Sequence, residues 1–138
     1  MKKLLIDTNI IIDLLAKREP FYNEAALLFT LADKNKIQLS VSSLTFANTN
    51  YILLQSKKPD EAKLILRKLK LIVQILSLDE KVVGLSLNEN DFKDFEDALQ
   101  YFSAIENEVD IIITRNLKDF QKAKLPVMTA AQFLKTIK

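Results

Sequence analysis

The chain has 138 residues, 49% of them apolar and 28% charged, with a formal net charge of +2. That is the length of a single domain, 1–138, able to bury roughly two-thirds of its unfolded surface, and the balance excludes a disordered polymer. The lone glycine, Gly84, excludes a glycine-rich phosphate loop and a turn-rich all-β fold; the absence of Cys and His excludes thiol nucleophiles, disulfides, ordinary zinc sites and an imidazole base.

Leu4-Leu5-Ile6 reads as a buried strand, and its apolar run is too short for a signal peptide or a membrane span, so a cytoplasmic protein is expected. Ile10–Leu15 starts a helix directly afterwards, and Phe21–Asn35 is a second, with Pro20 where a helix can begin. Ile37–Val41 alternates like a strand. Ser42 and Ser43 are good caps for a helix to about Gln55, and Pro59 opens another to about Leu71. Ile72–Leu78 is a third strand. Asp79 caps a helix to about Leu87, with Gly84 as its weak point. Asp94–Asn107 is a helix whose apolar stripe is Phe95, Ala98, Leu99, Phe102 and Ile105. Ile111–Ile113 is wholly apolar, as expected of a central strand. A short helix over Lys118–Ala123, a strand at Val127-Met128 and a helix over Ala130–Ile137 close the chain.

Strands alternating with helices predict an α/β fold: a three-layer α/β/α sandwich around a parallel sheet of four or five strands. In such sheets ligands bind beyond the carboxyl ends of the strands. The charge pattern agrees with a site of that kind. Residues 79–110 hold ten acids against Lys81 and Lys93, and residues 111–138 hold six bases against Asp119. Besides solvated helix faces, this describes an acidic pocket rimmed by cations, suited to a metal ion and a phosphate backbone.

Three places supply the acids. Asp7 follows the first strand, where it is equally placed to cap the next helix. Asp13, further along that helix, reads as a surface charge. Asp94, Glu96 and Asp97 open the sixth helix, more acids than a cap requires. Asp94 and Asp97 lie on one flank of the apolar stripe, Glu96 and Gln100 on the other, and periodicity does not choose between Asp97 and Glu96. After the apolar fourth strand comes Thr114-Arg115-Asn116-Leu117-Lys118-Asp119, in which Asn116 caps a helix start, or Arg115 and Lys118 reach for phosphate. Gathered at one sheet edge, Asp7, Asp97 and Asp119 would repel one another unless a divalent cation such as Mg²⁺ or Mn²⁺ neutralised them. Such an ion activates water for attack on a phosphodiester without any His base.

The sequence resembles PIN-domain proteins of the VapC-like toxin type over nearly its whole length. The matching pieces are Leu5-Ile6-Asp7-Thr8-Asn9 with Asp13, the helix around Thr45–Tyr51, Asp97-Ala98, and Ile113-Thr114-Arg115-Asn116 with Asp119-Phe120. The resemblance implies a Mg²⁺- or Mn²⁺-dependent ribonuclease acting on RNA, neutralised by a small antitoxin and commonly a homodimer. It implies Asp7, Asp97 and Asp119 as metal ligands, with Asn9 and Thr114 as supporting partners. Asn116 stands where some relatives carry a fourth acid, so Asn116 and Asp119 are alternatives there. One departure is clear: Asn48 stands where the family pattern has Glu, and it brings no charge. Glu96 is a candidate to compensate, from the opposite flank of its helix.

Two further readings follow. The same fold with a degraded site would bind RNA or protein without cutting, and Asn48 is the feature favouring that. A phosphoacceptor receiver domain is the other, but Asp7 lacks the paired acid and Lys124 precedes the last strand instead of following it.

Overall fold

The computed structural model describes residues 1–137. Five strands form one parallel sheet: β1 (Lys2–Ile6), β2 (Ile37–Ser42), β3 (Val73–Leu76), β4 (Ile111–Ile113) and β5 (Val127–Met128), in the order β3-β2-β1-β4-β5. The apolar β4 is an inner strand, but β1 occupies the centre. Composition identifies a strand buried on both faces and does not rank two such strands. The sheet is five-stranded, as the wider expectation allowed.

The helices are α1 (Thr8–Leu15), α2 (Tyr22–Asp33), α3 (Ser43–Leu53), α4 (Pro59–Lys70), α5 (Glu80–Leu87), α6 (Phe95–Glu106) and α7 (Ala130–Lys135). A single 3₁₀ turn, Leu117–Phe120, replaces the short helix expected at 118–123. Several predicted caps are present. The Ser42 hydroxyl accepts from Leu44 N–H, the Asp79 carboxylate from Val82 N–H, and the Asp94 carboxylate from Glu96 N–H. Pro59 sits in the first turn of α4, where its missing N–H costs nothing.

Strand alternation divides the apolar residues into two cores. Leu4 and Ile6 of β1, with Ile111 and Ile113 of β4, pack against Ile10, Ile11, Leu28, Phe29 and Phe133 on one face. Leu5 and Ile112 face the other way, onto Phe92, Ala98, Tyr101, Ala104 and Phe120. This is the three-layer sandwich that strand–helix alternation predicts. The stripe expected on α6 is only partly right. Ala98 and Leu99 are buried, but Phe95 and Ile105 are exposed, and Gln100, Tyr101, Ser103 and Ala104 are buried instead. Helix α6 is rolled so that a polar side chain, Gln100, turns inward. Its partner there is described below.

Gly84 lies inside α5, and a Cβ built on it meets nothing within 4 Å. Gly84→Ala is therefore expected to stabilise the protein by about 0.5–1 kcal/mol, read as a raised urea midpoint at unchanged slope. Among the described residues, no helix is long and apolar enough to cross a membrane.

Candidate functional site

The strand order reverses at β1: the chain builds β2 and β3 to one side, then returns to lay β4 and β5 on the other. A crevice opens at such a switch point, beyond the carboxyl ends of β1 and β4. Asp7 follows β1 and Thr114 follows β4. Helix α6 precedes β4 and runs back across the sheet, so its N-terminal turn comes to the same edge.

The cleft there, about 420 Å³, is lined by Asp7, Thr8, Asn9, Asn48, Tyr51, Ile52, Asp94, Glu96, Asp97, Gln100, Asn116 and Asp119. The three separated acids, Asp7, Asp97 and Asp119, are thus brought together. Both flanks of α6 contribute, because the cleft meets the helix end-on and first-turn side chains tilt toward the helix N-terminus. Asp97 and Glu96, which periodicity left as alternatives, share one space. Asn116 and Asp119 do so too.

Asp7 occupies the N-cap position of α1, yet its side chain makes no capping hydrogen bond. Instead the Thr114 hydroxyl donates to Oδ2 at 2.9 Å, and Gln100 Nε2 donates to Oδ1 at 3.3 Å. The carboxylate is buried and held in place from β4 and α6. Thr114 is fully buried, and its Oγ1 also accepts from Asn116 N–H at 3.0 Å, folding the 114–116 loop over the site. Gln100 is a residue of the site to which the sequence assigns no role. Its only signal was a polar residue four positions after Glu96, on the flank opposite Asp97.

Electrostatics distinguish one acid. Burial, and then the charges of Asp94, Asp119, Asp7 and Glu96, push the Asp97 carboxyl up to about 7. A carboxyl raised by burial and by surrounding acids suits a cation or a proton. A second observation points the same way. Gln100 Oε1 is buried beside the cleft with no hydrogen-bond partner. Among the described residues, no three or more acids are grouped closely enough to hold a metal ion by themselves; they line an open cleft. That suits a hard cation such as Mg²⁺, which binds through one or two carboxylates and keeps several waters. The residues present therefore fit such an ion.

Two expectations are corrected here. Asp13 is completely buried rather than a surface charge. Arg115 does not reach toward the cleft: its Nη2 donates to Asp13 Oδ1 at 3.2 Å and its Nε lies 3.0 Å from Oδ2. Its guanidinium stacks 4.0 Å over the Phe21 ring, and Arg18 approaches the same carboxylate at 3.5 Å. Arg115 ties the 114–116 loop to α1 and α2, and is not free to hold phosphate. The sequence showed a basic residue after a strand, and nothing local tells a buried pair from a solvated one. Lys118 remains exposed. It lines an adjoining pocket with Lys93 and Lys122, and that pocket shares Asp97 and Asp119 with the acidic cleft.

The family model for the PIN domain matches residues 3–118. The chain belongs to the PIN domain family. Among curated relatives, it is 29% identical to Ribonuclease VapC1 of Aquifex aeolicus (strain VF5), covering 96% of this chain and 93% of that one. PIN-domain folds of the same shape are found in solved structures. A toxin–antitoxin complex from Klebsiella pneumoniae superposes with a TM-score of 0.71 at 23% identity, over 92% of this chain and 97% of the other. DNA-bound VapBC from Salmonella typhimurium superposes with a TM-score of 0.70 at 18% identity, over 94% and 99%. The identification also disposes of the receiver-domain reading.

Proposed function

We propose that this PIN-domain protein is a divalent-metal-dependent endoribonuclease and the toxin of a toxin–antitoxin pair. The observation that carries the reading is the acid-lined cleft, in which Asp97 is pushed up to about 7 by burial and then by its acidic neighbours. Asp7, Asp97 and Asp119 would hold Mg²⁺ or Mn²⁺. A bound ion of that kind supplies neutralisation of the crowded carboxylates and Lewis acidity toward a phosphodiester. The chain's own residues do the rest. Thr114 and Gln100 fix the Asp7 carboxylate, while Asn9 and Asn116 offer neutral polar groups at the cleft wall. Lys118 supplies positive charge beside it for a flanking phosphate. The cleft is open and shallow, which suits an unpaired, splayed RNA strand.

Similarity to a curated ribonuclease supports the activity, and the fold shared with toxin–antitoxin complexes supports a small antitoxin partner. A homodimer and a cytoplasmic location complete the proposal. The second reading, a binding module without cleavage, is favoured by one observation, the uncharged Asn48 in the cleft wall.

The test is cleavage of a labelled structured RNA by purified protein with Mn²⁺, with EDTA, and with Asp97→Asn as the contamination control. Cleavage that needs both the metal and Asp97 is the expected result. RNA that is bound but left intact across a panel of substrates would favour the binding module. For Lys118, Lys118→Ala is expected to lower the salt slope of RNA binding by about one, uniformly across sequences. An unchanged slope would remove Lys118 from the interface.

A further inference from the structure

Helix α4 carries charge for which the cleft has no use. Between Lys57 and Lys70 six cations stand against two acids, Asp60 and Glu61. Both acids sit in the first turn, where the helix dipole favours them and Glu61 Oε1 accepts from Lys58 N–H at 3.2 Å. The rest of the helix is left basic. Lys63, Arg67 and Lys70 recur at i, i+4 and i+7, so they share one face over about 10 Å of helix axis. All three are exposed, and none is in an ion pair among the described residues. The dipole favours Arg67 and Lys70, in the last turn. It does not account for Lys63, which stands mid-helix and repels Arg67 from four residues away. An anion laid along the stripe would remove that repulsion.

The stripe also has a direction. With Phe46 of α3 and Leu66 of α4, both half-buried, the three cations line a shallow groove of about 220 Å³. Phe46 is on one flank of α3, while Asn48 and Ile52, on the other, line the acidic cleft. Groove and cleft are thus one helix apart, about 10 Å. Tyr51, which also lines the cleft, is 70% exposed and offers a ring on which a crossing base can stack. The cleft is lined by five carboxylates and no Lys or Arg. A polyanion entering it is repelled unless cations beside it hold the backbone. On the α6 side Lys93, Lys118 and Lys122 meet that need; beyond α3 the stripe on α4 does. Two half-buried apolar side chains offer no pocket for the anchors of a docked helix, so phosphates fit this groove better than an apolar peptide.

We propose that Lys63, Arg67 and Lys70 form a track for the phosphate backbone of a single RNA strand that leaves the acidic cleft across α3. The inference rests on the RNA-cutting reading of the cleft and adds a length requirement to it. Strands that extend past α3 are held more tightly than strands that end in the cleft. The contacts are to phosphate, so they add affinity without base preference.

The test is binding of labelled single-stranded RNA of about four and about sixteen nucleotides, the span of known single-strand sites. It is run in EDTA, so that no strand is cut, over a series of salt concentrations. The proteins are wild type, Lys63→Gln/Arg67→Gln/Lys70→Gln, and the charge-keeping Lys63→Arg/Lys70→Arg, each checked for folding by circular dichroism. Each phosphate contact on a single strand contributes about 0.7 to the salt slope, so the triple variant is expected to lower the slope for the long strand by about two. The short strand, and the charge-keeping variant on either strand, are expected to behave as wild type. An unchanged slope for the long strand overturns the track, and weakened binding of polyglutamate by the same variant would then give the stripe to an acidic protein segment. Equal losses for both strands also overturn it, since they show a long-range field and not a contact. Cleavage in Mn²⁺ separates this proposal from the reading beneath it. A lowered slope with no cleavage by wild type leaves the track standing and removes the nuclease, whereas Mn²⁺-dependent cleavage with an unchanged slope does the reverse.

Discussion

Asp97→Asn is expected to abolish RNA cleavage and, at the same time, to make the metal-free protein more stable at neutral pH. The loss of activity is expected to reach two to three orders of magnitude or more, the scale of removing one electrostatic group from an active site. The gain in stability follows from the direction of the Asp97 shift. Its carboxyl is pushed from the ordinary 3.8 up to about 7 in the folded protein. Below pH 4 it is protonated in both folded and unfolded chains and carries no penalty. Between about 4 and 7 the unfolded chain ionises while the folded one retains the proton, so stability falls as pH rises. Above 7 the penalty is complete. Asp97 is only half-buried, so solvent screening reduces its cost to on the order of 1 kcal/mol. The melting temperatures of wild type and variant should therefore separate between pH 5 and pH 8 in EDTA. Adding Mn²⁺ at pH 8 should close the gap by raising the wild type alone. Equal melting temperatures at both pH values would show that Asp97 does not bear the repulsion of its neighbours.

Arg115→Met is expected to destabilise the fold by about 3 kcal/mol. The variant keeps most of the side-chain volume over Phe21 but leaves the wholly buried Asp13 carboxylate with only Arg18, at 3.5 Å and half-exposed, for compensation. Removing one partner of a buried pair costs far more than the pair itself contributes, because a charge is left in low dielectric. The double variant Asp13→Leu/Arg115→Met is expected to lose much less than the sum of the two single changes. Urea denaturation of the three proteins measures the coupling. Additive losses would mean that the two side chains do not act as a unit. Because Arg115 lies between Thr114 and Asn116, the single variant is also expected to loosen the loop that holds Asp7.

The sequence makes the skeleton legible for a simple reason: short apolar or alternating runs ending in Asp7, Ser42 or Thr114 carry both the strand and its edge. Once the strands are parallel, their carboxyl ends collect Asp7, Asp97 and Asp119 without any knowledge of distances. What periodicity misses are the choices made by tertiary partners. Asp13 reads as a surface charge and Arg115 as a phosphate ligand because their charges cancel across 102 residues. Gln100 has no role in the sequence until its amide finds Asp7, and the inward roll of α6 that this demands leaves Phe95 outside. Asp7 looks like a cap because the N-cap position is correct; only its side-chain hydrogen bonds show that it serves the cleft instead.

The placement of β1 at the centre of the sheet has a consequence for synthesis. The Asp7 carboxylate is made before its two hydrogen-bond donors, Gln100 and Thr114, which follow 93 and 107 residues later. A nascent chain can pair β1 with β2 early, but the acids of α6 and the loop after β4 do not yet exist to complete the cleft. The site therefore stays unassembled until the loop after β4 has been made, and a chain truncated before Ile111 carries Asp7 with no Thr114 to orient it. If the cleft cuts RNA as proposed, this order of assembly delays the activity until α6, β4 and the loop after it have all been made.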